Sequence, residues 1–265
     1  MAIAKDPKII MTSDEFIRRL QIIAGRRTYY KNKYPDNLCY IHSDGRTSAD
    51  CVNLDKAILN GYDVYMNKPG YYQRDLSNTG DCTEAELLSQ CTDVSQDFKK
   101  IKAPAILYMK GHIGNYIGIT PDNRFNVIEC TTAWGGGVIY SWVDQDGTRR
   151  SENGGKPIVL SNGTYQRWTH YGYPTKWVAF NGQNVSHQAP KEEPKVNVSN
   201  KPILKKGSKG GSVDELKMLL IKHGEVPFDN FFDDSCLKAV KEFQKKHGLE
   251  VDGCVGPKTW AELLK

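Results

Sequence analysis

Three residues of this chain have the types and the order needed for nucleophilic acyl transfer: Cys51, His112 and Glu129. A cysteine supplies the nucleophile as its thiolate, an imidazole takes the thiol proton, and a carboxylate fixes the tautomer and orientation of the imidazole. Cys51 stands at the first turn of a predicted helix, Ser48-Ala49-Asp50-Cys51-Val52-Asn53-Leu54-Asp55-Lys56-Ala57-Ile58-Leu59. Thr47, Ser48 and Asp50 can cap its free N–H groups, and Leu54, Ala57 and Ile58 give it an apolar face. Gly61 ends it where a left-handed cap is needed. A thiol at a helix N-terminus lies in positive potential, which favours the thiolate. A buried, inert cysteine leaves the same local signature, so the rest of the chain has to decide.

Strands must position the other two residues. An apolar run at 105–109, a partly alternating glycine-rich run at 111–119 and a returning run at 125–130 are predicted to form an antiparallel meander, with a turn at Pro121-Asp122-Asn123-Arg124. His112 opens the second strand and Glu129 lies on the third, so the meander carries the carboxylate back beside the imidazole. His170 is a rival base, but its neighbours offer no obvious carboxylate. The loop 26–47 carries Tyr29, Tyr30, Tyr34 and Tyr40 and runs into the cysteine helix. It could wall a substrate site and lend a hydroxyl to an oxyanion, or its rings could simply cover the core.

Elsewhere, Thr12-Ser13-Asp14-Glu15 opens a helix with Phe16, Ile17, Leu20, Ile23 and Ala24 as its buried stripe and Gly25 as its stop. The stretch 61–101 is irregular apart from a short capped helix beginning at Thr83. Further strands are predicted at 133–140 and 177–180. Residues 181–202 are polar and contain Pro190 and Pro194, as a linker does. After them, Val213, Leu216, Leu219, Leu220 and Ile221 mark one helix, 235–243 a second and 259–264 a third.

The totals bound the class. The chain has 265 residues, a formal net charge of +5 and no apolar run of the length a membrane span needs (about 18 residues). The first residues show no signal-peptide pattern. The mild positive balance suits an anionic polymer such as a cell wall; without lysine–arginine clusters interleaved with aromatics it does not point to nucleic acid. Seven cysteines without a C-x-x-C pair argue against a zinc ribbon or thioredoxin-like motif. Cys82 and Cys91 could close a local disulfide, or remain reduced.

Two family patterns are visible in these residues. Leu204-Lys205-Lys206-Gly207-Ser208-Lys209-Gly210, Ala239-Val240-Lys241-Glu242-Phe243-Gln244-Lys245-Lys246-His247-Gly248-Leu249 and Val251-Asp252-Gly253-Cys254-Val255-Gly256-Pro257-Lys258-Thr259-Trp260 resemble the peptidoglycan-binding domain of bacterial cell-wall hydrolases. Asp50-Cys51, Gly111-His112-Ile113-Gly114-Asn115-Tyr116-Ile117-Gly118 and Ile128-Glu129-Cys130-Thr131 resemble, in that order, the nucleophile, histidine and third-polar-residue motifs of the NlpC-type, papain-like cysteine peptidases, above all those of phage lysins. The family often has Ser-Gly after the nucleophile where this chain has Val52-Asn53, and its Trp-Gly-Gly context for an upstream tyrosine is absent.

The resemblance implies an α+β chain: a papain-like catalytic domain over 1–180 with N-terminal helices packed on an antiparallel sheet, a linker over 181–202 and a small three-helix peptidoglycan-binding domain over 203–265. It implies a peptidoglycan hydrolase that cuts a stem-peptide amide through Cys51, His112 and Glu129, as a D-glutamyl endopeptidase. An N-acetylmuramoyl-L-alanine amidase and a catalytically inactive cell-wall-binding protein are the alternatives. Tyr30 or Tyr29 would assist at the oxyanion and Asp50 beside the nucleophile. No cofactor or metal is implied. The expected partner is bacterial peptidoglycan, with no nucleic acid and no membrane span, and the expected form is a monomer acting outside the cell or released at lysis.

Overall fold

The computed structural model describes residues 3–25, 28–30, 38–43, 46–64, 66, 68–120, 122–180, 201–209, 211–222 and 232–264. The chain divides into two compact units, one within Met1–Ala24 and Thr28–His187, the other chiefly within Gln188–Lys265.

In the first unit the elements run β1 (Met11–Thr12), α1 (Ser13–Ala24), β2 (Thr28–Tyr30), β3 (Tyr40–Ile41), β4 (Thr47–Ala49), α2 (Cys51–Leu59), α3 (Glu84–Ser89), β5 (Thr92–Ser95), β6 (Ala105–Met109), β7 (His112–Tyr116), β8 (Val127–Thr131), β9 (Gly137–Val143), β10 (Arg149–Arg150), β11 (His170–Tyr173) and β12 (Val178–Ala179). Seven strands form one antiparallel sheet in the order β10-β9-β8-β7-β6-β11-β5. The predicted meander is β6, β7 and β8. Its register is set by the short turn at Lys110-Gly111, which pairs Met109 with His112. Because side chains alternate, the sheet is apolar on both faces. Helices α1, α2 and α3 contact it. Phe98, Leu107, Met109, Val143, Trp168 and Tyr171 belong to a separate core cluster that contains side chains of the His112-bearing face.

Three expectations are corrected. The tyrosine loop is not wholly irregular: β2, β4 and β3 form a small sheet, with β4 running directly into α2. Strands of two or three residues are too short to show a period. β5 lies within the stretch read as irregular; it is a polar edge strand, Thr-Asp-Val-Ser, with three exposed residues. The strand expected at 177–180 is only β12, and it pairs in parallel with β1 rather than joining the large sheet. Of the two states left open for Cys82 and Cys91, the structure has the free thiols.

Helix α1 begins where its cap predicts: Thr12 Oγ1 accepts from the Glu15 N–H at 3.2 Å. Its buried residues are Phe16, Leu20, Ile22 and Ile23, so Ile17 and Ala24 sit at the flank of the stripe. Helix α3 has a full capping box between Thr83 and Glu86.

In the second unit, α4 (Gly211–Lys222), α5 (Asp234–Lys246) and α6 (Pro257–Leu263) share a core of Val213, Leu216, Leu220, Val240, Phe243 and Trp260. Gln244 staples the turn before α6: its Nε2 donates to Cys254 O at 3.0 Å and its Oε1 accepts from Gly253 N at 2.9 Å. Residues 181–200 of the linker expected at 181–202, and the segment 223–231, lie outside the described residues.

Candidate functional site

Helix α2 is built as its sequence predicts, with more of it buried. Asp50 is its N-cap: Oδ1 accepts from Asn53 N at 2.8 Å and Oδ2 from Asn53 Nδ2 at 2.7 Å. At the other end, Gly61 at φ +84° donates to Ile58 O and Tyr62 N donates to Ala57 O, the paired bonds of a Schellman cap. Between the caps, Cys51 and every residue from Asn53 to Leu59 are buried, including Lys56, whose Nζ reaches Asp81 at 2.8 Å. The single apolar face expected from the sequence is therefore too narrow a description. This helix is enclosed on most sides.

Cys51 is the first residue of α2, and its thiol lies within electrostatic reach of the backbone N–H of Ile113, the residue after His112. The β7–β8 ladder ends at Gly114 and Glu129. The Ile113 N–H lies beyond that last pair, on the side of the sulfur. Helix α2 contacts β7, and Cys51 and His112 both lie near the end where β7 begins.

The local electrostatics differ from expectation at the thiol. Burial pushes the Cys51 thiol up to about 11, and the Asp50 carboxylate adds to the rise; the Ile113 and Val52 N–H groups offset only part of it. The helix N-terminus does not prevail because burial, and then its own capping carboxylate, oppose it. Cys51 therefore rests as a thiol.

The His112 ring is held firmly. His112 Nε2 meets Glu129 Oε2 at 2.6 Å, and Trp168 stacks on the ring with centroids 5.2 Å apart and planes 20° apart. Among the described residues, Nδ1 of His112 has no hydrogen-bond partner. Glu129 is fully buried on β8 and also accepts from Ser141 Oγ, Arg149 Nε at 3.0 Å and Arg149 Nη2. Burial alone would raise its pKa, but the His112 bond and the charge and bonds of Arg149 outweigh it and hold the carboxyl near 2. It stays ionised at any working pH.

Glycine at 114 makes this arrangement possible. A Cβ there would lie 2.8 Å from Trp168 Cη2 and 3.2 Å from Glu129 Cβ. Gly114→Ala is expected to push Trp168 off the imidazole and cost about 1–3 kcal/mol of stability. Chemical denaturation and the fluorescence of the indole would read both effects, and an unchanged midpoint would contradict the contact.

A cavity of about 450 Å³ opens beside His112, lined among others by Gly111, Thr131, Ala133, Arg149 and Gln166. Cys51 is not in its lining. His170 bonds to Gln96 and Thr169, and no carboxylate partner is found for it among the described residues. Tyr29 and Tyr30 pair through their backbones with Ser48 and Ala49 of β4; their side chains, and Tyr34, lie outside the described residues. The sequence reading missed Arg149, Ser141 and Trp168. No group of three or more metal-ligating side chains is found among the described residues, and no described helix is long and apolar enough to cross a membrane.

Residues 209–263 match the family model described as "Putative peptidoglycan binding domain". The chain is also 35% identical over 68 residues to the "Uncharacterized protein in bpoA1 3'region" of Kitasatospora aureofaciens, covering 24% of this chain and 58% of that protein. The alignment thus spans little more than half the length of that relative. No solved structure matches the chain significantly. The matched segment is the one that carries α4, α5, α6 and the Gln244 staple. The chain carries a peptidoglycan-binding domain at its C-terminus, and that domain supports a protein associated with the cell wall.

Proposed function

We propose that the first unit is a papain-like, NlpC-type cysteine peptidase that hydrolyses an amide bond of the peptidoglycan stem peptide, with the second unit holding it to its insoluble substrate. The observation that carries this reading is the His112–Glu129 pair: Nε2 is committed to a buried, ionised carboxylate, and Nδ1 is left without a partner on the strand end that the Cys51 thiol reaches.

In this reading His112 Nδ1 takes the Cys51 proton as the sulfur attacks the amide carbonyl carbon. Forming a free thiolate near neutrality from a thiol at about 11 would cost roughly 5 kcal/mol, so attack and proton transfer are coupled. The proton then passes from His112 to the leaving nitrogen as the C–N bond breaks, leaving a thioester on Cys51. Water, deprotonated by His112, attacks that thioester and releases a carboxylate product and the thiol. Glu129 keeps Nε2 protonated and stabilises the imidazolium between the two transfers. The backbone N–H of Cys51, at the first turn of α2, is the proposed donor to the oxyanion. Tethering through the second unit raises the local concentration of wall peptide.

The bond proposed is the one next to D-glutamate; cleavage between muramic acid and L-alanine is the competing outcome. Mass spectrometry of fragments released from purified peptidoglycan separates them. New peptide amino termini within the stem are expected. Intact stem peptides released from the glycan would instead identify an amidase, and no released fragment would leave only a wall-binding protein.

A further inference from the structure

Arg149 enters none of the chemical steps above, yet its guanidinium is built into the site. It is 2% exposed, on β10. Nε and Nη2 fork onto the two oxygens of Glu129, Nη2 also donates to Thr131 Oγ1 at 2.8 Å, and Nη1 donates to Gln166 Oε1 at 2.6 Å. The guanidinium carbon lies 5.0 Å from the Trp134 ring and 5.7 Å from that of Trp168, the same indole that stacks on His112.

We propose that Arg149 is a positioning residue for the Cys51–His112 pair: it locks Glu129 in the orientation that meets His112 Nε2 and balances the carboxylate's charge, so that the imidazole can accept and return a proton at Nδ1. The proposal rests on the catalytic reading of Cys51 and His112 given above. A carboxylate offers about four lone-pair sites. Glu129 uses them for two bonds from Arg149, one from Ser141 and one with His112, so it has no free direction in which to rotate. Its charge already has a permanent cation beside it before the imidazole is protonated. Without Arg149, imidazolium would be the only cation left to answer a buried anion. The proton would stay on His112, and the base would be blocked until higher pH.

The groups facing this cluster are His112 from β7, Glu129 and Thr131 from β8, Ser141 from β9 and the neutral rings of Trp134 and Trp168. On the α2 side the titratable neighbours are Asp50, Cys51, Asp55, Cys39 and Cys130, together with Lys56, which acts on Asp50 and is paired with Asp81 at 2.8 Å. Lys56 makes no bond to Glu129, so it does not replace the guanidinium.

The test uses the full chain with Arg149→Met and Arg149→Lys, following the His112 ring by NMR and the rate of peptidoglycan hydrolysis across pH. In Arg149→Met, the His112 titration is expected to move up by about one pH unit or more, with the acid limb of the rate profile moving alongside it. Arg149→Lys keeps the charge but not the fork, so the titration stays within about half a unit while the rate falls roughly tenfold. A folded Arg149→Met protein whose His112 titrates as in the wild type would overturn the proposal. Should Arg149→Met fail to fold, an Arg149→Lys rate equal to wild type overturns it instead. The NMR titration needs no turnover. If the wild type releases no fragments, the catalytic reading fails on its own, whatever His112 does.

Discussion

Cys51→Ala is expected to lower peptidoglycan hydrolysis by at least about a thousandfold while leaving wall binding intact. In the proposed mechanism the sulfur is the atom that bonds to the acyl group, so the expected loss is large. Cys130 is the closest rival. It lies next to Glu129 in sequence, but its Sγ is spent on Ala49 O at 3.2 Å and burial holds its thiol well above the ordinary range. Cys130→Ala should therefore retain turnover within about tenfold of wild type, the loss coming from packing alone. Turbidity loss of a wall suspension measures the first effect, and co-sedimentation with wall fragments measures the second. Equal lysis by wild type and Cys51→Ala would remove the cysteine mechanism. Loss of co-sedimentation would show that the substitution had damaged more than the nucleophile.

Asp55→Asn is expected to stabilise the protein, increasingly so as pH rises. Asp55 lies one helical turn after Cys51, fully buried, and neither carboxylate oxygen has a hydrogen-bond partner among the described residues. The side chain of Asn115 on β7 is a polar neighbour, but it too forms no hydrogen bond by geometry. Burial pushes the Asp55 carboxyl up to about 8 from an ordinary 3.8, an effect Asn115 only partly offsets. The folded state therefore holds a proton that the unfolded chain gives up. Below pH 3.8 both states are protonated and folding incurs no penalty from this group. As pH rises from there towards 8, stability falls by about 1.4 kcal/mol per unit, and above 8 the loss is constant. Asparagine does not titrate, so between pH 5 and pH 8 the variant should gain roughly 4 kcal/mol relative to wild type. Guanidinium unfolding of both proteins at the two pH values checks this, and a stability difference that does not change with pH would refute it. An aspartate that weakens the fold directly beneath the candidate nucleophile is a local conflict of the kind expected near a functional site.

How much of this was legible in the sequence follows from the range of each signal. The meander, the caps of α1, α2 and α3, and the Schellman turn at Gly61 all depend on residues within a few positions of one another. Their periods and caps can be read directly. The order Cys51, His112, Glu129 was readable for the same reason: each residue sits at a marked point of a local element, and the β6–β7–β8 hairpins bring the last two together without help from the rest of the fold. The C-terminal pattern was readable because its turn, the glycine at 253 and the tryptophan at 260 are fixed by short spacings.

The state of the site was decided by the tertiary structure. Arg149 follows an ordinary turn and looks like any surface arginine in the sequence; only the folding of β10 against β9 places its fork on a carboxylate twenty residues earlier. Trp168 reaches His112 only because a distant glycine leaves room. The thiol was expected to be acidic, since a helix N-terminus is a local feature. It is weakly acidic instead, because burial and the adjacent Asp50 are stronger effects, and burial is a property of everything packed around the helix. Sequence by itself determined which side chains could do chemistry and which strands and helices present them. Desolvation and charge pairing sum over neighbours far apart in the chain. Only the folded structure could therefore decide that Glu129 is ionised, that Cys51 rests as a thiol and that Arg149 belongs to the site.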